Sequence, residues 1–430
     1  MKLSVIGCGY VGLVSGACLA SLGNEVICVD IDKRKIALLK KGKMPIYEPG
    51  LADLVLENVR KRRLSFASDL KQAVRKSDVI FIAVGTPPRS NGEADLSFVE
   101  NVARTIAEEM DSFKIIVEKS TVPVETGEWI KKTIERYAKN GAKFEVASNP
   151  EFLREGTAIK DFMRPDRIIL GVESKKAEEV LRRIYRPLKS PIVATDIRSA
   201  EIIKHASNSF LAMKISFINA ISNLCDSAKA DVGQVALGVG LDRRIGPAFL
   251  NAGIGFGGFC FPKDLAAFIH ISEKLGYNFE LLKAVEKINQ EQGGIFLKKI
   301  EQAIWNVGSK TIGVLGLSFK PDTDDMRFAP SIDIIQALQA QGARIRAFDP
   351  HAMAKAGEIF KKVVFCKNSY SACRGSDCLV ILTEWDEFKK LDLKKVKRLL
   401  NQPVIVDGRN IYRPEEVRSL GFRYFSMGRP

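Results

Sequence analysis

Residues 3–30 read LSVIGCGYVGLVSGACLASLGNEVICVD, and this stretch decides the predicted fold of the first part of the chain. An apolar run at residues 3–6 predicts a strand, and the glycine-rich turn at residues 7–12 follows it and opens a helical pattern. A second apolar run, residues 26–29, ends at Asp30. A GxGxxG turn between a strand and a helix, with an acidic residue ending the next strand, is typical of a dinucleotide-binding βαβ unit.

The chemistry of this turn indicates the cofactor. Glycines let the backbone approach a pyrophosphate, which the unpaired N–H groups at a helix start attract. Asp30 is placed to bind both ribose hydroxyls of NAD, and its charge would repel the 2′-phosphate of NADP. Lys33, Arg34 and Lys35 lie close enough in sequence to weaken that repulsion. The stretch therefore predicts NAD, bound in this turn by Gly7, Gly9, Tyr10, Val11 and Gly12.

Short apolar runs that end in polar or glycine-rich turns recur through the first 150 residues. The runs occupy residues 79–84, 115–117 and 144–147, the turns residues 85–88, 120–123 and 148–151, and helical patterns residues 69–76 and 96–110. Strands that alternate with helices predict an α/β fold with parallel βαβ units. Because ligands bind beyond the carboxyl ends of such strands, the turns together predict a site.

Residues 3–24 contain no charged residue, a feature that is also typical of a signal peptide or a membrane span. Five glycines interrupt them, so a strand, a glycine turn and a buried helix explain the stretch better. The eight cysteines form no CxxC pair, and the three histidines lie at no metal-ligand spacing. We expect free thiols, no metal and a cytoplasmic protein that does not enter the membrane.

The formal net charge of the 430-residue chain is +15, which suits either a nucleic-acid-binding protein or an enzyme whose ligands are polyphosphates. The basic residues occur in short runs such as residues 60–63, which are typical of solvated helix faces. No zinc finger or RNA-binding aromatic motif accompanies them. The composition favours an enzyme and predicts no nucleic-acid partner.

The middle of the chain carries a long helical pattern without proline or glycine, residues 199–230. Its apolar residues are too abundant for one exposed face, which predicts a central helix that joins two domains and contributes to a dimer interface. Lys204 and Asn208, four residues apart, project from one face and are either solvated residues or a pair that stabilises a developing oxyanion. His205 points elsewhere and is interpreted as structural.

Residues 253–264 read GIGFGGFCFPKD and form the densest motif of the chain. Four glycines in six residues predict a loop whose amides can crowd a ligand. Cys260 follows this loop and is either an inert core cysteine or a nucleophile activated by Lys263 and a helix start. Asp264 lies four residues further on, close enough to orient a water molecule if a helix begins there.

The last part of the chain repeats the strand pattern at residues 311–315, 343–348, 378–382 and 404–406, but GxGxxG is absent. It predicts a second Rossmann-like domain that holds another nucleotide, with Lys320, Arg327 and Arg409 suited to phosphates. The predicted fold is therefore α/β, with two Rossmann-like doubly wound domains joined by a long central helix. The predicted boundaries are 1–195 for the NAD-binding domain, 196–300 for the central helical domain and 301–430 for the second Rossmann-like domain, to which the resemblance given next assigns the UDP-sugar.

The motifs taken together resemble the UDP-glucose 6-dehydrogenase family. They are GCGYVG with VDIDKRKI, VGTPP, STVP, NPEFLREG, the Lys204/Asn208 helix, DRRIGPAFLNAGIGFGG, CFPKD, GLSFKPDTDDMR and DGRN, and they run in the family's order over nearly the whole chain. The resemblance implies a four-electron oxidation of a sugar nucleotide by two NAD molecules. Its catalytic residues would be the nucleophile Cys260, the oxyanion donors Lys204 and Asn208, the water-positioning pair Asp264 and Thr121, and Glu151, which assists hydrolysis.

The resemblance also assigns the binding residues. Further NAD contacts would come from Asp30, Lys35, Thr86, Thr121, Glu155, Lys263 and Arg327. The UDP-sugar would contact Glu151, Phe152, Leu153, Arg154, Lys204, Asn208, Arg244, Phe249, Leu250, Asn251, Ala252, Gly253, Gly257 and Lys320. The family's counterpart of Arg244 reaches a neighbouring subunit, which implies a homodimer or a larger assembly. Phe259 departs from the family pattern, which usually has serine there, so a hydroxyl donor next to the thiol is lost and a bulky phenyl ring takes its place.

Three other functions are compatible with parts of this pattern. The same chemistry would serve GDP-mannose or a UDP-N-acetylhexosamine. A β-hydroxyacid dehydrogenase shares the N-terminal fold and a lysine-bearing helix, but it transfers one hydride and needs no cysteine. A basic nucleic-acid-binding protein with a vestigial Rossmann domain is the non-enzymatic alternative.

Overall fold

The structure, a computed structural model, describes residues 1–87, 89, 93–139 and 141–430. These residues form two compact units. Unit 1 comprises Met1–Ser207 and Ala266–Leu275, and unit 2 comprises Asn208–Leu265 and Gly276–Pro430.

Unit 1 is an α/β unit. Its strands are β1 (Lys2–Ile6), β2 (Glu25–Val29), β3 (Leu64–Ala67), β4 (Val79–Ile82), β5 (Lys114–Glu118), β6 (Phe144–Ser148), β7 (Ile168–Val172) and β8 (Ile192–Thr195). Its helices are α1 (Tyr10–Ser21), α2 (Lys33–Lys40), α3 (Leu51–Arg60), α4 (Leu70–Lys76), α5 (Ser97–Glu109), α6 (Thr126–Tyr137), α7 (Ala158–Met163) and α8 (Lys175–Tyr185), with a 3₁₀ turn at Arg186–Leu188. The sheet order is β3-β2-β1-β4-β5-β6-β7-β8, parallel except between β6 and β7.

Helices cover both faces of this sheet, which explains why its strands are so apolar. Every residue of β4 and β5 is buried. One hydrophobic core packs the sheet against α1, α3, α7 and α8, and a second packs its other face against α4, α5 and α6. The five strands predicted in the first 150 residues are β1, β2, β4, β5 and β6. Pro88, the last residue of the turn predicted after β4, lies outside the described residues.

Unit 2 contains a second parallel sheet. Its strands are β9 (Thr311–Leu315), β10 (Arg344–Phe348), β11 (Val363–Phe365), β12 (Cys378–Ile381), β13 (Val404–Asp407) and β14 (Arg423–Ser426), in the order β11-β10-β9-β12-β13-β14. Its helices are α10 (Val232–Gly240), α12 (Glu280–Ile304), α13 (Pro330–Ala340), α14 (Met353–Ile359), α15 (Ser369–Cys373), α16 (Asp386–Lys389), α17 (Leu393–Leu399) and α18 (Pro414–Ser419). The four predicted C-terminal runs are β9, β10, β12 and β13, so the predicted fold class is confirmed.

Two further helices contribute residues to both units. The predicted central helix is α9 (Ile197–Ala228), which is 32 residues long, and the helix that follows the glycine loop is α11 (Cys260–Lys274). In the described part of the chain, no helix combines the length and apolar character that a membrane crossing requires.

Candidate active site

The turn between β1 and α1 has the geometry that a dinucleotide pyrophosphate needs. Gly7 has a φ of 102°, and a Cβ atom there would lie 2.4 Å from the carbonyl oxygen of Ala83. A Cβ at Gly12 would lie 1.9 Å from the carbonyl oxygen of Gly7, so the helix packs directly on the turn. A Cβ at Gly9 would meet no described atom within 4 Å, so the backbone there is open to a ligand. Tyr10, Val11 and Gly12 form the first turn of α1, whose N–H groups attract anions.

Asp30 lies directly after β2, at the rim of this turn. Its Oδ2 accepts a hydrogen bond from the backbone N–H of Cys8 at 2.9 Å, and its Oδ1 accepts one from the N–H of Asp32 at 2.9 Å. The Nζ atom of Lys35 lies 3.1 Å from Oδ2. The carboxylate is therefore fixed by two backbone amides and partly neutralised by one cation, which fits the recognition of ribose hydroxyls.

Glu48 is a site-forming residue that the sequence analysis missed. Its buried carboxylate accepts a hydrogen bond from the hydroxyl of Tyr10 and others from the N–H groups of Gly156 at 2.6 Å and Ala158 at 2.8 Å. It thereby ties the start of α1 to the segment that leads into α7. The sequence feature that could have indicated Glu48 is its place as a charged residue inside the turn-forming tetrapeptide Tyr-Glu-Pro-Gly at residues 47–50.

The turns after β4, β5 and β6 hold several predicted residues. The hydroxyl of Thr86 donates to the carbonyl oxygen of Thr121 at 2.9 Å, which brings these two residues together. The N–H of Leu153 donates to Glu151 Oε2 at 2.6 Å. Arg154 is exposed and its guanidinium binds Asp161, with Nη2 2.6 Å from Oδ1. Glu155, the last predicted residue of this segment, is half-buried.

Glu151 and Lys204 form a buried ion pair in unit 1. The Oε1 and Nζ atoms are 3.0 Å apart. The ring centroid of Phe152 lies 5.4 Å from the same Nζ, and the guanidinium of Arg167 lies 3.7 Å from that ring. A desolvated ammonium held by a carboxylate is preorganised to stabilise negative charge that develops on a ligand.

His205, the next residue of α9, is a packing residue. It is buried, its Nε2 lies 2.8 Å from the carbonyl oxygen of Val122, and its ring stacks on Phe268 with centroids 5.5 Å apart. These contacts fit the structural role that the sequence indicated.

In unit 2, Cys260 is the first residue of α11 and is exposed, whereas the other seven cysteines are buried. Burial raises the pKa of Cys373 and Cys378 to about 12, which keeps these thiols protonated and inert. Cys260 instead lies exposed at the start of a helix, a position that is typical of reactive cysteines. Among the eight cysteines, Cys260 alone therefore has the setting of a nucleophile.

Asp264 lies one helical turn after Cys260 and is buried. Its Oδ2 accepts a hydrogen bond from Asn208 Nδ2 at 2.6 Å, and its Oδ1 is 3.1 Å from Lys263 Nζ. The structure thus joins a carboxylate, an amide and a cation next to the thiol-bearing turn. Such a group can orient a water molecule and stabilise an oxyanion.

Phe259 organises the two cations that were predicted to bind the cofactor from unit 2. The guanidinium of Arg327 lies 4.3 Å from its ring centroid, and Lys263 Nζ lies 5.3 Å from it. Arg327 also binds Asp325, with Nη2 2.6 Å from Oδ2. The Phe259 ring therefore makes cation–π contacts directly before Cys260.

The loop that precedes Cys260 contains six of the fourteen predicted sugar-nucleotide residues. Phe249 has a φ of 64° and its ring meets Phe261 edge-on, with centroids 6.2 Å apart. The N–H of Gly253 donates to Asn219 Oδ1 at 2.8 Å. A Cβ at Gly257 would lie 2.2 Å from a backbone oxygen, that of Phe328. The other predicted residues here are Leu250 and Ala252, which are buried, and Asn251, which is exposed.

Three basic residues of unit 2 differ in their surroundings. The side chain of Arg244 is 89% exposed and binds Asp242. Lys320 is half-buried, with Nζ 5.5 Å from the ring centroid of Phe319. Arg409 donates to the carbonyl oxygens of Leu382 at 2.8 Å and of a glycine in the loop before Cys260 at 3.0 Å, so it braces that loop.

A dinucleotide turn on one Rossmann-like sheet, a second sheet of the same type and an exposed thiol at a helix start define an α/β, NAD-dependent oxidoreductase. Comparison with known proteins gives the family. Residues 1–189 match the NAD-binding domain of the UDP-glucose/GDP-mannose dehydrogenase family, residues 198–291 its central domain and residues 313–414 its UDP-binding domain.

Individual relatives agree with these matches. The chain is 50% identical, over all 430 residues and 93% of the relative's length, to the UDP-glucose 6-dehydrogenase TuaD of Bacillus subtilis. The solved structure of a UDP-glucose dehydrogenase from Pyrobaculum islandicum is similar, with a TM-score of 0.93, 38% identity and coverage of 99% of this chain and 97% of that one. A UDP-D-ManNAc dehydrogenase from Pyrococcus horikoshii gives a TM-score of 0.88, 27% identity and coverage of 100% and 99%. The chain belongs to the UDP-glucose/GDP-mannose dehydrogenase family.

Asp30→Ala is expected to raise the KM for NAD roughly tenfold and to narrow the preference for NAD over NADP, because the variant loses the predicted ribose acceptor and the charge that would repel a 2′-phosphate. The measurement is kcat/KM with each cofactor. Asp32→Ala is the matched control, since Asp32 caps α2 two residues away. Equal use of both cofactors by the unaltered protein would show that Lys35 overrides the carboxylate.

Proposed function

We propose that this protein oxidises UDP-glucose to UDP-glucuronate, with Cys260 as a covalent nucleophile. The observation that best supports this proposal is the exposed Cys260 at the start of α11, in a chain that is 50% identical over its whole length to a UDP-glucose 6-dehydrogenase. The overall reaction converts one C6 alcohol, two NAD molecules and one water into one carboxylate, two NADH and three protons. NAD, when bound, supplies the acceptor for each of the two hydrides that leave C6.

Cys260 keeps the reactive aldehyde on the protein between the two oxidations. After the first hydride and a proton have left the alcohol, Sγ forms a bond to C6 of the aldehyde, and the carbonyl oxygen takes up a proton. The resulting thiohemiacetal retains one hydrogen on C6, which leaves as the second hydride while the hydroxyl loses its proton. Water then adds to the thioester, and the C6–Sγ bond breaks to release the carboxylate and restore the thiol.

The buried polar groups supply the charge stabilisation for these steps. We assign oxyanion stabilisation to Lys204, which Glu151 holds at 3.0 Å, and to Asn208, whose amide is fixed on Asp264 at 2.6 Å. Asp264, with Thr121, positions the water that attacks the thioester, and Glu151 assists hydrolysis. A carboxylate that already accepts hydrogen bonds from an amide and a cation is well oriented to receive a proton from water.

The remaining assignments follow the same family pattern. We assign the NAD contacts to the glycine turn, Asp30, Lys35, Thr86, Thr121, Glu155, Lys263 and Arg327. We assign the UDP-sugar to residues 151–154, 249–253 and 257 with Lys204, Asn208, Arg244 and Lys320. The domain boundaries at residues 195 and 300 remain predictions.

We infer a homodimer from the surface of α9. Phe210, Phe217 and Leu224 are exposed, between 51% and 63%, and they follow one another at intervals of seven residues. Side chains at this interval lie on one face of a helix and form an apolar stripe of the kind that self-associating helices bury. The exposed Arg244 is then available to a neighbouring subunit. We place the protein in the cytoplasm, where thiols such as Cys260 stay reduced.

The stoichiometry of NADH formation tests the proposed function. Limiting UDP-glucose is expected to yield two NADH for each sugar, with UDP-glucuronate as the product, because the thiohemiacetal retains the aldehyde until its second oxidation. UDP-N-acetylglucosamine, UDP-N-acetylmannosamine and GDP-mannose, assayed in parallel, serve as the substrate controls. One NADH per sugar with release of an aldehyde, or faster oxidation of another sugar nucleotide, would contradict the proposal.

A further inference from the structure

A second buried lysine lies close to the Glu151–Lys204 pair. Lys119 follows β5 directly and is 4% exposed. Its Nζ donates to two oxygens of one residue, the carbonyl oxygen of Asn149 at 3.3 Å and the side-chain Oδ1 of Asn149 at 3.0 Å. The ring centroid of Phe162 lies 6.0 Å away on the apolar side. Within the described residues Lys119 makes no ion pair closer than 4 Å, so its contacts hold backbone and amide groups in place.

Asn149 is the point at which this lysine acts on the turn after β6. Its N–H donates to the carbonyl oxygen of Glu118 at 2.8 Å, and its Nδ2 donates to that of Ile169 at 2.8 Å. The hydroxyl of Tyr185 donates to the same Oδ1 that Lys119 binds, at 2.5 Å. The hydrogen bonds of Asn149 therefore join the ends of three neighbouring strands, β5, β6 and β7.

The hydrogen bonds that hold Asn149 are linked to Glu151 by a short and stiff segment of the chain. Only Pro150 lies between them, and its ring fixes φ near −65°. Glu151 then bonds Lys204 through Oε1 and the N–H of Leu153 through Oε2. A displacement of the Asn149 backbone would therefore move the carboxylate that holds Lys204.

The pKa of Lys119 depends on the charges of Glu151 and Lys204. Burial lowers the pKa of Lys119 to about 8, Glu151 opposes this change and Lys204 adds to it. Tyr185 shares Asn149 Oδ1 with Lys119, and burial raises the pKa of its hydroxyl above the ordinary value. Glu118, whose pKa burial raises to about 8, precedes Lys119 in the chain, and adjacent side chains of a strand point to opposite faces. Lys119 is thus a buried cation that loses its proton in the range where dehydrogenases are assayed.

We propose that Lys119 is a positioning residue that acts through Asn149 to fix Glu151 against Lys204. This inference rests on the proposed function, because it assigns to Lys119 an effect on the oxyanion donor of that reaction. Lys119 is buried and binds Asn149, so its influence passes through the turn at residues 149–151.

Lys119→Met tests the proposal against a matched control on the same strand. Lys114, at the other end of β5, is 2% exposed and donates from Nζ to the carbonyl oxygen of Arg75 at 3.4 Å, far along the strand from the turn. Lys119→Met is expected to lower kcat with UDP-glucose roughly 10- to 100-fold, because small displacements of a reacting group cost about this much. Its KM for NAD should stay within about twofold, and Lys114→Met should keep kcat within about twofold.

Two further readouts separate positioning from general damage. In a double-mutant cycle, Lys119→Met should cost much less in a Glu151→Gln background, because both changes disturb the same pair. Tyr185→Phe removes one hydrogen bond to Asn149 Oδ1 and should lower kcat about threefold with little loss of stability, which keeps the test informative if Lys119→Met folds poorly. Additive effects in the cycle, or equal losses for Lys119→Met and Lys114→Met, would overturn the proposal.

The pH dependence of stability supplies a readout that needs no substrate. With a folded pKa of about 8 against an ordinary value of 10.5, the unfolded chain binds a proton that the folded protein releases between these values. As the pH rises from about 8 to 10.5, the free energy of unfolding of the native protein should therefore increase relative to that of Lys119→Met. A difference in unfolding free energy that does not change with pH would contradict the lowered pKa of the buried Lys119. Failure of the native protein to oxidise UDP-glucose would refute the proposed function instead and leave this window measurable.

Discussion

Replacement of Cys260 by serine or alanine is expected to lower UDP-glucuronate formation by roughly 10³-fold or more, as loss of a catalytic nucleophile does in other enzymes. Cys260→Ser should fold and bind both ligands, but its alkoxide is hard to form and an ester hydrolyses more slowly than a thioester. Cys260→Ala should retain at most the first hydride transfer, which does not use the thiol. NADH yield and product analysis on pure protein measure both variants.

The buried cysteines provide the control for this result. Cys225 lies in the same unit, and burial raises the pKa of its thiol. Cys225→Ser should cost some stability and keep turnover within a few-fold of the unaltered protein, because this thiol is buried in a hydrophobic core. Near-normal UDP-glucuronate formation by Cys260→Ala would overturn the covalent mechanism.

Replacement of Lys204 by methionine is expected to lower kcat roughly 10²- to 10³-fold, which is the usual cost of removing one preorganised oxyanion donor. The effect should be large because the ammonium is buried and held by Glu151 at 3.0 Å, so its charge is poorly screened. Steady-state kinetics with UDP-glucose measure the loss, which should appear in kcat rather than in the KM for NAD.

The same substitution leaves the Glu151 carboxylate buried without its cation, and breaking a buried pair costs about 3–5 kcal/mol of stability. Lys204→Met combined with Glu151→Gln should therefore recover most of the stability and none of the activity. Lys214→Met, on the same helix at a lysine that binds two carbonyl oxygens, is the control and should leave kcat within about twofold. Recovery of activity in the double variant would show that Lys204 serves stability alone.

Local sequence patterns predicted nine of the fourteen described strands and missed β3, β7, β8, β11 and β14. β4 and β5 are buried on both faces, so their apolar runs stood out. β3 reads LSFA and is interrupted by the exposed Ser65, and β11 reads VVF but is only three residues long and has no buried position, so neither stood out as a buried strand. Both lie at sheet edges, where fewer neighbours demand apolar side chains.

The sequence by itself determined the two α/β sheets, the central helix, the glycine turn with Asp30 and the cysteine at the start of a helix, because each depends on residues within about one structural element of one another. Only the tertiary structure decided that Glu48 joins Tyr10 to Gly156, and that Lys119 holds Asn149 thirty residues away. Such contacts depend on the order of strands in the sheet and on buried polar groups that must find partners after the chain has folded. No local periodicity of the sequence encodes that order, so the hydrogen bonds between Lys119 and Asn149 can be recognised only when β5, β6 and β7 lie side by side.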